Sequence, residues 1–309
     1  MQSAIQPLSG SICAIVTPFL SSGELDLPAF SKLVQYQIWA GSTGIVVAGS
    51  TGESSALVEH EFVSLLELAR KIVSDQAAPN FKLIAGTGLP STSKTLRLTQ
   101  LAKDLGADAA LVVTPAYVRP TAEGLYRHYS LLADSSGLPI VLYNVPSRTG
   151  CDLLPETVAR LCAHPQIVGI KEALPDMDRL QSLLALQSAQ FAVLSGDDPT
   201  ALEAFELGAD GLISVAANAV PRQMSDLYAL SRSDLAAAAA LNTALTPLFA
   251  ALALEPNPIP IKWALAELNV CTPELRLPLH TLSEQHRAPL RTALAAFGLI
   301  TSKSLHLAA

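Results

Sequence analysis

The chain has 309 residues, 50% of them hydrophobic and 15% charged, with a formal net charge of −7. That content supports a large buried core and excludes intrinsic disorder, while the acidic balance, with no cluster of Lys and Arg, argues against nucleic acid as a partner. Cys13, Cys151, Cys162 and Cys271 form no CxxC pair, and the opening MQSAIQPLSG lacks the basic start and apolar core of a signal peptide; both features predict a cytoplasmic protein with reduced thiols.

In chain order, short apolar runs rich in β-branched residues recur at 12–16, 44–48, 82–85, 109–113, 140–143, 167–170, 191–194 and 211–215. Most are separated by stretches with helical spacing, such as 62–72 and 95–105. The runs are continuous rather than alternating, which signals strands buried on both faces, the mark of a parallel sheet. Eight strand-helix units in about 230 residues predict an α/β fold, and they fit a (β/α)8 TIM barrel over residues 1–225 better than an open doubly wound sheet, which periodicity alone does not exclude. From there the pattern turns to helices alone, at 224–231, 235–254, 261–268 and 288–297, so residues 226–309 read as a C-terminal helical region. The segment 235–254 is nearly all Ala and Leu, but Asn242, Thr243, Thr246 and Pro247 interrupt it. A buried helix is therefore expected there and not a membrane span.

In such a barrel the carboxyl ends of all strands converge on one mouth. Those ends carry Thr17, GSTGES (49–54), GTG (86–88), TPAY (114–117), YNVPSRTG (143–150), KEA (171–173), SGDD (195–198) and SVAAN (214–218). Lys171 ends an apolar strand, where an amine is costly to keep charged and can serve as a nucleophile. Tyr143, ending the preceding strand, is the natural proton shuttle, and the Ser50-Thr51-Gly52 turn can offer backbone N–H groups to a carboxylate. Such a set suits imine chemistry on a 2-oxo acid.

Each feature alone also has a plainer account. Lys171 could end a strand in water, Ser50 and Glu53 fit the S-x-x-E capping box, Tyr143 could be an ordinary strand tyrosine, and Arg148 a solvated loop residue. The GTG at 86–88 is too short for a phosphate loop, and the six histidines, His60, His128, His164, His280, His286 and His306, show no ligand spacing, so neither nucleotide nor metal is expected.

Taken together, GSTGES, VTPAYVRP (113–120), YNVPSRTG, GIKEA, LSGDD and EPNPIPIKWAL (255–265) closely resemble the 4-hydroxy-tetrahydrodipicolinate synthases, or dihydrodipicolinate synthases, a family of pyruvate-dependent, imine-forming (β/α)8 lyases. The resemblance runs from about Gly10 into the C-terminal helices. It implies a lyase that condenses pyruvate with L-aspartate 4-semialdehyde in the diaminopimelate route to lysine, with no cofactor and no metal. Lys171 would form the Schiff base; Thr51, Tyr143 and Tyr117 would form a hydroxyl relay, Tyr117 reaching in from a neighbouring subunit. Ser50 and Thr51 would hold the pyruvate carboxylate, Arg148 the carboxylate of the aldehyde, and Gly196 and Ile213 would line the pyruvate end. A homotetramer built as a dimer of dimers is implied as well.

Two positions depart from the family pattern. Ser50 stands where most of these synthases carry a first threonine, a change that keeps the hydroxyl and the backbone donors. The same turn resembles that of N-acetylneuraminate lyase, the nearest competitor together with 2-keto-3-deoxy sugar acid aldolases, but Arg148 in the SRTG run suits a small carboxylated aldehyde. A non-catalytic barrel that senses a small acid is the rival from another class, and Lys171 with Tyr143 speak against it. At the places where lysine-inhibited relatives bind their inhibitor, this chain has Glu59, Phe62, Pro90, Lys94 and Ala116. A cation at position 94 would repel lysine's ammonium groups, so feedback inhibition is expected to be weak or absent.

Overall fold

The computed structural model describes residues 8–76, 78 and 80–300; the first seven residues of the opening segment and His306 lie outside them. Eight parallel strands form one closed barrel in sequence order. They are Gly10–Ala14 (β1), Gly44–Val47 (β2), Lys82–Gly86 (β3), Ala109–Val113 (β4), Ile140–Asn144 (β5), Ile167–Glu172 (β6), Ala192–Ser195 (β7) and Gly211–Ser214 (β8). Closure comes from β8 pairing with β1, Gly10 opposite Gly211 and Cys13 opposite Ser214. Every strand residue but Lys82 and Val113 is buried, as continuous apolar runs require.

Period-two geometry divides the strand side chains between two cores. One set, including Ile12, Val46, Ile84, Val141, Leu194 and Ile213, fills the barrel; the other, including Cys13, Ile45, Leu83, Leu142 and Val193, packs against the surrounding helices. Local signals set the helix ends. The Asp26 side chain accepts from the Ala29 N–H at the start of Leu27–Ala40, and Gly41 ends that helix at φ 91°. Thr121 accepts from the Gly124 N–H ahead of Ala122–Ser136, which Gly137 ends at φ 66°.

Two elements differ from expectation in ways that bear on the mouth. β6 runs two residues past position 170, so Lys171 and Glu172 lie inside the ladder, opposite Tyr143 and Asn144 of β5 and Leu194 and Ser195 of β7. Polar residues extend the strand here because Glu172 finds partners: it accepts from Asn144 Nδ2 and from Arg179 Nε at 2.7 Å. Burial pushes the Glu172 carboxyl above its ordinary pKa, against these hydrogen bonds and that of the Leu174 N–H. The capping box that Ser50 and Glu53 fit, the plainer account of this turn, does not form. The next long helix begins at Glu59, where the Glu61 side chain accepts from the Val58 N–H, and Glu53 is used elsewhere.

After β8, helix Pro221–Ser231 packs on β1, so the expected boundary after residue 225 falls inside it. Helix Leu235–Leu252 has the length and apolar composition of a membrane span. It turns Leu245, Leu248, Phe249 and Leu252 inward and packs against Pro221–Ser231 and Glu284–Ala296. Helix Ile259–Glu267 then returns toward the mouth, with Lys262 fully buried.

Candidate active site

Lys171 is 5% exposed, and its Nζ lies 4.4 Å from the centre of the Tyr143 ring, directly across the β5–β6 ladder. Both side chains point into the barrel because they share register, whereas Asn144 and Glu172, one residue on, point outward and lock the two strand ends together. Gly196, at the end of β7, is open for a steric reason. A Cβ there would come within 2.7 Å of Lys171 Cε and 3.0 Å of Ala173 Cβ, so only glycine leaves room for the lysine chain.

These residues border a cavity of about 170 Å³ that also meets Ser50, Thr51, Arg148 and Asn257. A larger cavity, about 420 Å³, lies between helix Leu27–Ala40 and the C-terminal helices, but Leu33, Leu265, Leu268 and Leu299 dominate it and Lys32 is its one ionisable group besides Tyr36. Convergent polar groups place the chemistry at the smaller one. Among the described residues no group of three or more His, Cys, Asp and Glu side chains could hold a metal ion.

The turn after β2 is held under backbone strain. Ala48 and Glu53, both at φ 54°, bracket it in the left-handed region that non-glycine residues avoid. Several contacts maintain that shape. Thr17 Oγ1 donates to the Gly52 carbonyl at 2.7 Å, and Gly86 packs so closely that a Cβ there would meet the Ala48 carbonyl oxygen at 2.2 Å. Glu53 is buried against Lys262, Nζ to Oε1 at 2.6 Å, and accepts from the Arg276 N–H at 3.0 Å. The Phe19 ring lies against both cations, 4.2 Å from Lys262 Nζ and 4.3 Å from the Arg276 guanidinium. The C-terminal region therefore clamps the turn from outside the barrel.

Of the residues singled out in the sequence, Lys171, Tyr143, Ser50, Thr51, Arg148 and Gly196 meet at this cavity. Ile213 is buried in the barrel-filling cluster beside it and does not line it. Tyr117 stands apart, 92% exposed at φ 74°, its N–H donating to the Thr149 carbonyl. Asn257 was not foreseen as a site residue: its Nδ2 donates to Thr51 Oγ1 at 2.9 Å, and its backbone carbonyl accepts from Arg148 at 2.8 Å. The only sequence signal was its place in the EPNPIPIKWAL run, far along the chain from any strand end.

The lining is apolar at the barrel floor, with Ala14, Val46 and Leu111, and polar at the rim. An amine, a phenol, two hydroxyls and a guanidinium around a small closed space can capture a small oxo acid as an imine and hold a second anion at the entrance.

Comparison with known proteins places this geometry among relatives. The sequence profile described as the Dihydrodipicolinate synthetase family matches residues 7–297. The 4-hydroxy-tetrahydrodipicolinate synthase of Pseudomonas aeruginosa is 47% identical over 294 residues, covering 95% of this chain and 99% of that protein. The crystal structure of the chloride-inhibited dihydrodipicolinate synthase of Acinetobacter baumannii complexed with pyruvate superposes with a TM-score of 0.91 at 46% identity, covering 94% of this chain and 99% of the other. A dihydrodipicolinate synthase variant described as the first monomeric one gives 0.91 at 43% identity, covering 95% and 98%.

Proposed function

The chain belongs to the dihydrodipicolinate synthetase family, and from that premise we propose that it is a lyase condensing pyruvate with L-aspartate 4-semialdehyde to 4-hydroxy-tetrahydrodipicolinate, with Lys171 as the imine-forming residue. The observation that carries the assignment of Lys171 is its burial at the barrel mouth, across the ladder from Tyr143 and open to a cavity sized for a small acid. The free amine of Lys171 adds to pyruvate C2, and loss of water from the carbinolamine leaves an imine. Removal of a C3 proton gives an enamine, whose C3 forms a bond to the aldehyde carbon of the second substrate. That substrate's own amine then attacks the imine carbon, closes the ring and releases the lysine. No metal or cofactor enters, because the protonated imine is the electron sink.

The roles of the other groups follow from their contacts. Tyr143 moves protons to and from the departing hydroxyl and C3. The Thr51 hydroxyl accepts from Asn257, which leaves its own proton to donate, with the turn's N–H groups, to the pyruvate carboxylate. The resemblance implies Thr51 as the relay hydroxyl; because Asn257 fixes it with its proton toward the carboxylate, we assign the proton exchange with Tyr143 to Ser50 instead, whose hydroxyl has no partner among the described residues. Arg148, at the rim, takes the carboxylate of the aldehyde. Gly196 keeps space for the Lys171 chain, and Ile213 supports the pyruvate end from within the barrel. Tyr117, with its ring almost wholly in solvent, completes the relay of a second copy in a dimer, two of which form a tetramer. The reaction runs in the cytoplasm, which agrees with four cysteines that form no disulfide.

Borohydride reduction in the presence of pyruvate tests the central step. One reduced pyruvyl adduct is expected, located at Lys171 by peptide mass, and an unchanged mass would overturn the imine. Turnover of aspartate semialdehyde without cleavage of N-acetylneuraminate separates the synthase from the sugar acid lyases.

A further inference from the structure

Asn257 makes two contacts of different kinds, one to each half of the cavity. Its side-chain Nδ2 donates to Thr51 Oγ1 at 2.9 Å, and its backbone carbonyl accepts from Arg148 at 2.8 Å. The remaining polar atom, Oδ1, is buried without a hydrogen-bond partner among the described residues. Rotating the amide by half a turn would let Oδ1 accept from the Thr51 hydroxyl and would leave Nδ2 unpaired instead. In either orientation one polar atom is orphaned, so counting hydrogen bonds gives no preference. The difference lies in the Thr51 proton. With Nδ2 toward Thr51, a lone pair of the hydroxyl is occupied and its hydrogen is free for an anion in the cavity; with Oδ1 toward it, that hydrogen would be spent on the amide.

We propose that Asn257 is a positioning residue which keeps the Thr51 hydroxyl poised as a donor toward the carboxylate of the oxo acid, while its backbone carbonyl independently sets the Arg148 guanidinium for the aldehyde. The proposal rests on the reading of Lys171 and Thr51 above. It gives the C-terminal helical region a direct part in substrate capture, since Asn257 precedes helix Ile259–Glu267 and Lys262, one turn into that helix, is tied to Glu53 beside the same turn. The two contacts are separable because substitution removes the side chain and leaves the carbonyl.

The test measures the pyruvate concentration that half-saturates the borohydride-trapped adduct at Lys171, together with KM for aspartate semialdehyde. For Asn257→Ala we expect half-saturation by pyruvate to rise about three- to tenfold, the effect of losing one neutral hydrogen bond, with KM for the aldehyde within about twofold. Asn257→Asp is nearly isosteric but can only accept, and its charge faces the incoming carboxylate, so its loss should exceed that of Asn257→Ala, at about ten- to a hundredfold. In a Thr51→Val background, Asn257→Ala should have almost no further effect. A residue that merely packs would give the opposite order, with the isostere milder than the truncation and equal losses in both backgrounds, and either result would overturn the proposal. A trapped adduct with unchanged half-saturation in Asn257→Ala overturns it alone. Failure of the unsubstituted chain to form any adduct at Lys171 overturns the underlying reading as well.

Discussion

Arg148 sits at the rim of the cavity on the short helix Pro146–Thr149, exposed, with its guanidinium held by the Asn257 carbonyl. Its contribution should therefore fall on the second substrate alone. For Arg148→Ala we expect kcat/KM for aspartate semialdehyde to drop about ten- to a hundredfold, as loss of a charge-assisted hydrogen bond implies, with the yield of trapped pyruvate adduct nearly unchanged. Equal loss of both would show that the arginine serves the first substrate. Lys171, Tyr143 and Arg148 were legible in the sequence because each follows an apolar strand, and strand ends in a parallel barrel share one mouth. Asn257 was not, since it belongs to no strand and reaches the site only through the path of the C-terminal helices.

Two elements carry measurable consequences away from the reacting atoms. The ion pair between Lys262 and Glu53 joins helix Ile259–Glu267 to the turn after β2, with side-chain exposures of 0% and 1%. Burial holds the Lys262 ammonium below the usual lysine pKa, and Glu53 opposes that shift. Lys262→Met would leave the buried Glu53 charge without its direct ion-pair partner, held by the Arg276 N–H and the nearby Arg276 guanidinium, so stability should fall by about 3 kcal/mol, read as a lower urea midpoint. A double Lys262→Met, Glu53→Gln variant should recover part of that loss, because the uncompensated charge is gone. A single variant as stable as the unsubstituted chain would refute the account.

His128, on helix Ala122–Ser136, is buried with Nδ1 at 2.9 Å from Thr92 Oγ1 and Nε2 without a hydrogen-bond partner among the described residues, and burial lowers its pKa from 6.5 to about 4. The unfolded chain thus takes up a proton below about pH 6.5 that the folded chain accepts only near pH 4. Stability should decline as pH falls through that window and level off beneath it, by at most about 3 kcal/mol at 1.36 kcal/mol per unit. His128→Gln should flatten the decline in urea midpoints between pH 7 and pH 4.5, and an equally steep fall in the variant would assign the effect to other groups. Most helix and strand positions followed from periodicity. The end of β6 did not, because Lys171 and Glu172 are polar and only the Asn144 and Arg179 contacts make a strand conformation favourable there.

At the scale of the whole molecule, Tyr117 is the informative residue: it is 92% exposed in a left-handed conformation, tied to its own chain through its backbone N–H, which donates to the Thr149 carbonyl. If it serves a second copy, Tyr117→Phe should lower kcat about tenfold or more, the size of a proton-transfer contribution, while the sedimentation coefficient stays that of an oligomer. Full activity in a sedimenting monomer would remove it from the relay. Lysine sensitivity turns on the positions that lysine-inhibited relatives use for their inhibitor. Phe62 is buried, Glu59 is paired with Arg97, and Lys94 projects from the start of helix Thr92–Asp104. These residues offer no free carboxylate to a lysine ammonium, so millimolar L-lysine should leave the steady-state rate unchanged; micromolar inhibition would contradict this.

Local patterning by itself determined a parallel sheet covered by helices on both faces, since continuous β-branched runs must be buried on both sides, and the count of eight units favoured a barrel over an open sheet; closure itself is the pairing of β8 with β1. It also determined which residues stand at the mouth, because strand direction is common to all eight. Tertiary structure alone decided how the turn after β2 is held and which way its hydroxyls point. Those depend on Glu53 meeting Lys262 across 209 residues and Thr51 meeting Asn257 across 206, contacts that no periodicity encodes.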